Sequence, residues 1–269
     1  MDDVKLLDHG YLRFIESWGS DERIIESARM STNKGFEGWG REPEMVCPTC
    51  GYTRAWALVP LGADVHNIPC GCQHPPVMMV RKDYPRGDEK LLEYLWKHKH
   101  GTPFEMAGMT IEVQAPIMVF REWHRHRTQS YNEMSARYTP LPDVNYIPTP
   151  NRCLVVKGSN KQANAIDAAD TLTHGKVIDW LQQLDGVYTE AERVYQTGLQ
   201  YGIPKELARL PVPVGRYSRM RASANLRNWL GFLTLRMDDA AQWEIRQYAN
   251  AVGTFIEKKF PRTWKLFIS

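Results

Sequence analysis

The chain has 269 residues, of which 43% are hydrophobic and 24% charged; 34 basic against 31 acidic side chains leave a net charge of +3. That balance is ordinary for a globular protein with a full core, allows one large domain or two small ones, and is too slight for a nucleic-acid coat. No apolar run approaches the roughly 18 to 20 residues that a bilayer crossing needs. The acidic start MDDVKLLDHG has neither the basic nor the apolar region of a signal peptide, so a cytoplasmic location is expected.

Taken in chain order, residues 14–30 read as a helix, with Ile24, Ile25 and Ala28 at compatible spacing and Ser20 and Asp21 as candidate caps. Residues 88–98 read as a second helix carrying Leu91, Leu92, Leu95 and Trp96 on one side. Residues 109–115 alternate Ile111, Val113 and Ala115 with Thr110, Glu112 and Gln114, the pattern of a half-buried strand. Pro116 then suits the first turn of a helix that ends at Arg125-His126-Arg127. The turn residues of 139–152 predict a loop, and 161–201 a long helical region with a break at Gly175 or Gly186 and a stop at Gly202 and Pro204. Helices over 225–237 and 241–258 complete an α+β domain with more helix than strand. There is no internal repeat, and no Gly-x-Gly-x-x-Gly or Walker loop to hold a dinucleotide.

Between the first two predicted helices lies MVCPTCGYTRAWALVPLGADVHNIPCGCQH. Cys47 and Cys50 form a Cys-x-x-Cys knuckle, and Cys70 and Cys72 follow after nineteen residues. In a cytosolic chain four thiols so paired read as tetrahedral zinc rather than as disulfides, with His66 or His74 able to replace one of them. A redox dithiol and unrelated thiols are the other readings. The fifth cysteine, Cys153, reads as a plain thiol.

RHRTQSYNEMSARY, residues 125–138, gathers three guanidinium groups, an imidazole and a carboxylate within fourteen residues. A core element has no partners for so many polar groups. The segment is therefore a solvated loop or a site for something anionic and planar, since the guanidinium fork matches phosphate and its face stacks on rings. A second run, between Arg209 and Arg227, holds Arg209, Arg216, Arg219, Arg221 and Arg227 without Asp or Glu, and reads as a local positive field open to phosphorylated small molecules, DNA or RNA alike.

The whole string from RHR through Ser135 to Tyr138 resembles the signature of the flavin-dependent thymidylate synthases. HGTPFEM (100–106), VQAPIMVFREWHRHR (113–127), NLRNWLGFLTLR (225–236) and AQWEIRQYA (241–249) are similar to that family's segments in the same order. The likeness runs from about Asp88 to the C-terminus, with a weaker echo at DERIIESARMS, and leaves out the cysteine-bearing stretch. It implies a single domain over 1–269, helices packed on a mainly antiparallel sheet, with residues 37–87 a zinc-ribbon-like insertion. It also implies FAD, NADPH and methylenetetrahydrofolate, methylation of dUMP to dTMP, and a homotetramer with shared active sites. Small-molecule substrates, no nucleic acid and no membrane go with it.

Position by position, the resemblance places Arg125, Glu133, Ser135, Ala136, Arg137 and Arg209 on the nucleotide. It places His100, Thr102, Glu105, Arg125, His126, Arg127, Glu133, Asn225 and Arg227 on the flavin. Arg236 is implied to be catalytic, because a guanidinium beside the pyrimidine stabilises negative charge at N3 and its flanking oxygens. On helix geometry alone Asn225 and Arg236 fall on nearly one stripe, roughly 16 Å apart, above an apolar face of Leu226, Trp229, Leu230 and Leu233. Three positions depart from the family. Glu122 stands for a glutamine near the nucleotide, Gly231 for an asparagine that contacts FAD, and Ala240 for a histidine. Two other readings stay open: a related hydroxymethylase acting on dUMP or dCMP, and a zinc-ribbon protein that binds nucleic acid through the arginines.

Overall fold

The structure is a computed structural model, and it describes residues 3–40, 44–55, 58–59, 68–71, 78–83, 86–154 and 171–269. Five strands form the main sheet: β1 (Val4–Leu6), β2 (Gly10–Trp18), β6 (Gly108–Pro116), β7 (Ser130–Glu133) and β8 (Tyr217–Asn225). Their order is β1-β2-β6-β8-β7 and every pairing is antiparallel. The alternation read in 109–115 is the reason β6 sits at the centre. Met109, Ile111, Val113 and Ala115 are fully buried on one face, while Thr110 and Glu112 on the other meet Ser223, Tyr11 and Arg13.

Helices cover the apolar face. They are α1 (Asp21–Arg29), α2 (Glu89–Lys97), α3 (Ile117–Trp123), α7 (Leu226–Arg236), α8 (Trp243–Lys259) and α9 (Pro261–Ile268). On α7 the predicted face, Leu226, Trp229, Leu230 and Leu233, is buried together with Phe232. Each such side chain is worth roughly 1.5 to 3 kcal/mol of burial, so this face fixes how the helix is rotated. Three shorter or outer helices are α4 (Pro150–Cys153), α5 (Thr171–Gln200) and α6 (Lys205–Ala208). No helix among the described residues is long and apolar enough to cross a membrane.

Several expectations are corrected. The helix expected over 14–30 is two elements, because the segment up to Trp18 continues β2 and only Asp21–Arg29 is helical. Ser20 does cap that helix, its hydroxyl accepting from the Arg23 amide at 3.4 Å. Alternation in GYLRFIESW was masked by three aromatic side chains and by the register shift between Phe14 and Glu16, which interrupts the period. Helix α5 runs unbroken through Gly175 and Gly186, where an added Cβ would meet only open space. It stops where expected. Gly202 is left-handed (φ 73°), its amide donates to Leu199 and that of Ile203 to Gly198, the two bonds of a Schellman cap. The part of that expectation over 161–170 lies outside the described residues.

A separate three-stranded antiparallel sheet is made by β3 (Glu44–Val46), β4 (Thr53–Ala55) and β5 (Val80–Lys82), in the order β4-β3-β5. It has its own small core of Met45, Cys47, Ile68, Cys70 and Met79. Where the chain enters and leaves this unit, its two strands are pinned together. The buried Asp88 carboxylate accepts from the Glu37 and Gly38 amides at 2.8 and 3.2 Å and pairs with Arg29. Glu89 accepts from the Gly40 amide and from Arg262, whose guanidinium also lies over Trp39 at 4.2 Å. A Cβ on Gly87 would sit 2.3 Å from the Gly38 carbonyl, so only glycine allows this approach.

Candidate active site

The last turn of α3 and the residues after it, up to Thr128, bond to α7, and these contacts assemble the site. At one end Arg236, the last residue of α7, donates from Nε to His126 Nε2 at 2.8 Å. Its Nη1 donates to the Glu122 carboxylate at 2.8 Å and its Nη2 to the Glu122 carbonyl at 2.9 Å. At the other end Asn228 Nδ2 donates to the Thr128 carbonyl at 2.9 Å, and Asn225 caps α7 by accepting from the Asn228 amide. The first turn of α7 then reaches the 3-10 turn Thr102–Met106 through an ion pair between Arg227 and Glu105. Gly101 permits this, because any Cβ there would strike the Arg227 guanidinium at 2.7 Å.

The electrostatics follow from this packing. The His126 ring packs edge-on against Phe232, and burial, followed by the charge of Arg236, pushes its pKa down to about 4. The ring is therefore neutral near pH 7, and its bare Nε2 is free to accept from Arg236. The Tyr131 hydroxyl, pushed up to about 12 by burial, donates to the His126 carbonyl at 2.6 Å and braces the turn. Trp123 Nε1 donates to Gln129 beneath it at 3.0 Å.

The start of α3 borders a cleft of about 250 Å³ lined by Ile117, Glu133, Met134, Ala136, Leu141, Arg209, Leu210, Val212 and Ser218. Three of the residues assigned to the nucleotide, Glu133, Ala136 and Arg209, thus converge. Ser135 sits half-buried between them, its hydroxyl accepting from the Arg137 amide at 3.3 Å. Arg137 itself points to solvent and pairs with Glu206 at 3.2 Å. Arg125, Arg127, His100, Thr102 and Gly231 are exposed, and the space above Gly231 is open. These members of the set assigned to the flavin thus face solvent in the single chain.

The second arginine run is not a uniform positive field. Arg216 is wholly buried and held by Asp143 at 3.0 Å and Glu192 at 2.5 Å, Arg221 lies 3.6 Å from Glu112, and Arg227 is paired with Glu105. Partners from elsewhere in the chain explain the error: Arg219 and Arg221 do share the exposed face of β8, but Glu105, Glu112, Asp143 and Glu192, all outside the run, offset its charge. Sequence reasoning also missed Asn228, Gln129, Tyr131 and Ser218. Asn228 acts through the distant Thr128 carbonyl, Ser218 through the cleft, and Tyr131 and Gln129 through the His126 carbonyl and the Trp123 indole, contacts for which neither spacing nor composition carries a signal.

In the small sheet, the Sγ atoms of Cys47, Cys50 and Cys70 all lie within 4.8 Å of one another, with Cys50 and Cys70 at 3.7 Å. Thiolates about 2.3 Å from a tetrahedral zinc stand about 3.8 Å apart, so this spacing fits the metal. Amide hydrogen bonds from Cys50 and Thr49 hold the Cys47 thiol down to about 6, which favours the ligating thiolate. Cys72, His66 and His74 lie outside the described residues.

Comparison with known proteins agrees with this arrangement. The family model described as Thy1, thymidylate synthase complementing protein, matches residues 13–262. The flavin-dependent thymidylate synthase of Thermotoga neapolitana is 39% identical over 98% of this chain and 94% of its own. That of Thermosipho africanus is 32% identical over 99% and 94%. Among solved structures, the UMP/dUMP methylase PolB from Streptomyces cacaoi bound with 5-Br UMP superimposes with a TM-score of 0.69 at 27% identity, covering 98% of this chain and 96% of that one. The same methylase bound with 5-Br dUMP gives 0.68. The chain belongs to the family of flavin-dependent thymidylate synthases, enzymes that use a flavin, and its α+β fold is theirs.

Proposed function

We propose that this enzyme methylates dUMP to dTMP, with FAD as its flavin, methylenetetrahydrofolate as carbon source and NADPH as reductant. The observation that carries the reading is the partly buried Arg236 guanidinium, held by Glu122 and His126 at one end of α3, with the Glu133, Ala136 and Arg209 cleft at the other. Arg236 stabilises negative charge on the pyrimidine at N3 and its oxygens, which raises electron density at C5. Arg125, Arg137 and Arg209 take the phosphate and base oxygens, with Glu133, Ser135 and Ala136 completing the nucleotide contacts. His100, Thr102, Glu105, His126, Arg127, Asn225 and Arg227 hold the flavin, which when bound passes reducing equivalents to the one-carbon unit. The exposed guanidinium groups of Arg125 and Arg127 suit its phosphates.

A homotetramer with shared sites belongs to this reading, since members of the flavin set face solvent in the single chain. Its support is a stripe on α5 and just beyond, where Trp180, Val187, Val194 and Tyr201 recur every seven residues and are all exposed. Residues 37–87 form an insertion whose three described cysteines, with Cys72, hold one structural zinc. A cytoplasmic setting suits those thiolates, and no nucleic-acid partner is called for. The test is mass spectrometry of products after incubating the purified, yellow protein with dUMP, methylenetetrahydrofolate and NADPH, in parallel with dCMP and UMP. Appearance of dTMP is the expected result, and a hydroxymethyl product or turnover of dCMP alone would refute it.

A further inference from the structure

We propose that Glu122 is a positioning residue for Arg236, acting on the substrate only through that guanidinium. The inference rests on the reading that Arg236 serves the pyrimidine. Glu122 grips Arg236 at two points, its carboxylate taking Nη1 and its main-chain carbonyl Nη2, while His126 takes Nε from the side. Three acceptors on one planar group define its position and its plane. Of its five N–H donors, one on each terminal nitrogen is left for a ligand such as a pyrimidine's N3 or a neighbouring oxygen.

Charge explains why the carboxylate is needed. The Arg236 side chain is only 15% exposed and lies against a neutral imidazole, whereas Glu122 is 41% exposed and sits at the rim. Without Glu122 the guanidinium would keep its full charge in a half-buried place with two neutral acceptors, and extension toward water would become the favoured arrangement. Glu122 thus holds the catalytic group inward before substrate arrives, at the expense of part of its positive field. That is a pre-organisation role, distinct from contact with the nucleotide.

The test uses the full-length enzyme and the variants E122A and E122Q, read by crystal structures and by steady-state kinetics with dUMP. In E122A the guanidinium should leave His126, and kcat should fall about 10²-fold, the effect of a misplacement on the order of 1 Å, while KM for the nucleotide stays unchanged. E122Q keeps an acceptor for Nη1 and should regain most of the lost rate with Arg236 back in place. An Arg236 still bonded to His126 in E122A, or a loss that appears in KM alone, overturns the proposal. A wild-type enzyme that turns over no pyrimidine nucleotide would refute the functional reading instead, and the position of Arg236 in E122A would still decide the positioning role.

Discussion

At the scale of single residues, Arg236 carries the sharpest expectation. It touches no residue assigned to the flavin other than His126, so Arg236→Ala should keep the flavin spectrum and lose turnover by a factor of about 10² to 10³. Near-normal turnover would remove the role. Arg125 and Arg137 are exposed, and Arg137 must leave Glu206 to reach a phosphate, so each alanine variant should weaken dUMP binding by roughly 1.5 to 3 kcal/mol. Titrations of dUMP that do not change in either variant would contradict the assignment. His126 makes a statement about pH. Its folded pKa of about 4 lies below the ordinary 6.5, so between those values the unfolded chain binds a proton that the folded chain refuses. Stability from this group is complete above pH 6.5 and is lost as pH falls toward 4. His126→Asn keeps an acceptor without the titration, so its urea midpoint should decline less over that window. Parallel curves for the two proteins would show that the ring's depressed pKa contributes nothing.

The candidate site residues stand out in the sequence because the arginine signature is a dense local string. What was not legible is which partner each guanidinium has. Arg216 and Arg209 look alike in a row of letters, yet one is sealed against Asp143 and Glu192 and the other lines a cleft. The difference is made by where each sits in the fold and by carboxylates from elsewhere in the chain.

At the scale of elements, long apolar periodicity served well and short strands did not. The faces of α7 and β6 emerged as read, because Leu226, Trp229, Leu230 and Leu233, and the alternating β6 set, obey their periods without interruption. Strand β2 was absorbed into a helix, and β8 was hidden in an arginine-rich run whose buried positions include Ser218, Ala222 and Ala224. Helix α5 shows a different limit: its end at Gly202 was legible and its continuity was not, and its exposed stripe gains a role only under the proposed assembly. Val187 and Val194 lie at the middle of that stripe and touch no main core. Replacing both by glutamate should leave the protomer folded, since exposed substitutions cost little, and should lower the assembly mass seen by light scattering. A mass that does not change would place the subunit interface elsewhere.

At the scale of the whole molecule, two cores coexist and they hold together by different physics. Among the described residues the main sheet and its helices bury some thirty side chains in one cluster, whereas the small sheet buries five, two of them cysteines. Such a core is small against a chain entropy of about 1 to 2 kcal/mol per residue, and under the proposed reading a metal cross-link would supply the difference. Among the described residues the unit with the small sheet is tied to the rest of the protein at its pinned neck, through Asp88, Glu89 and Trp39, on the α1, α2 and α9 side. Arg236 belongs to α7, Glu122 to α3 and His126 to the turn after α3, and their bonds to one another do not involve that neck. Replacing Cys47 and Cys50 by serine should therefore release one zinc per chain and speed proteolysis within 41–85, while the flavin spectrum and turnover stay those of the wild type. Elemental analysis of reduced, freshly purified wild-type protein showing less than one zinc per chain would remove the metal. Flavin loss in the double variant would show instead that the insertion braces the active site through its neck, and Asp88 would then be the residue that carries the strain between them.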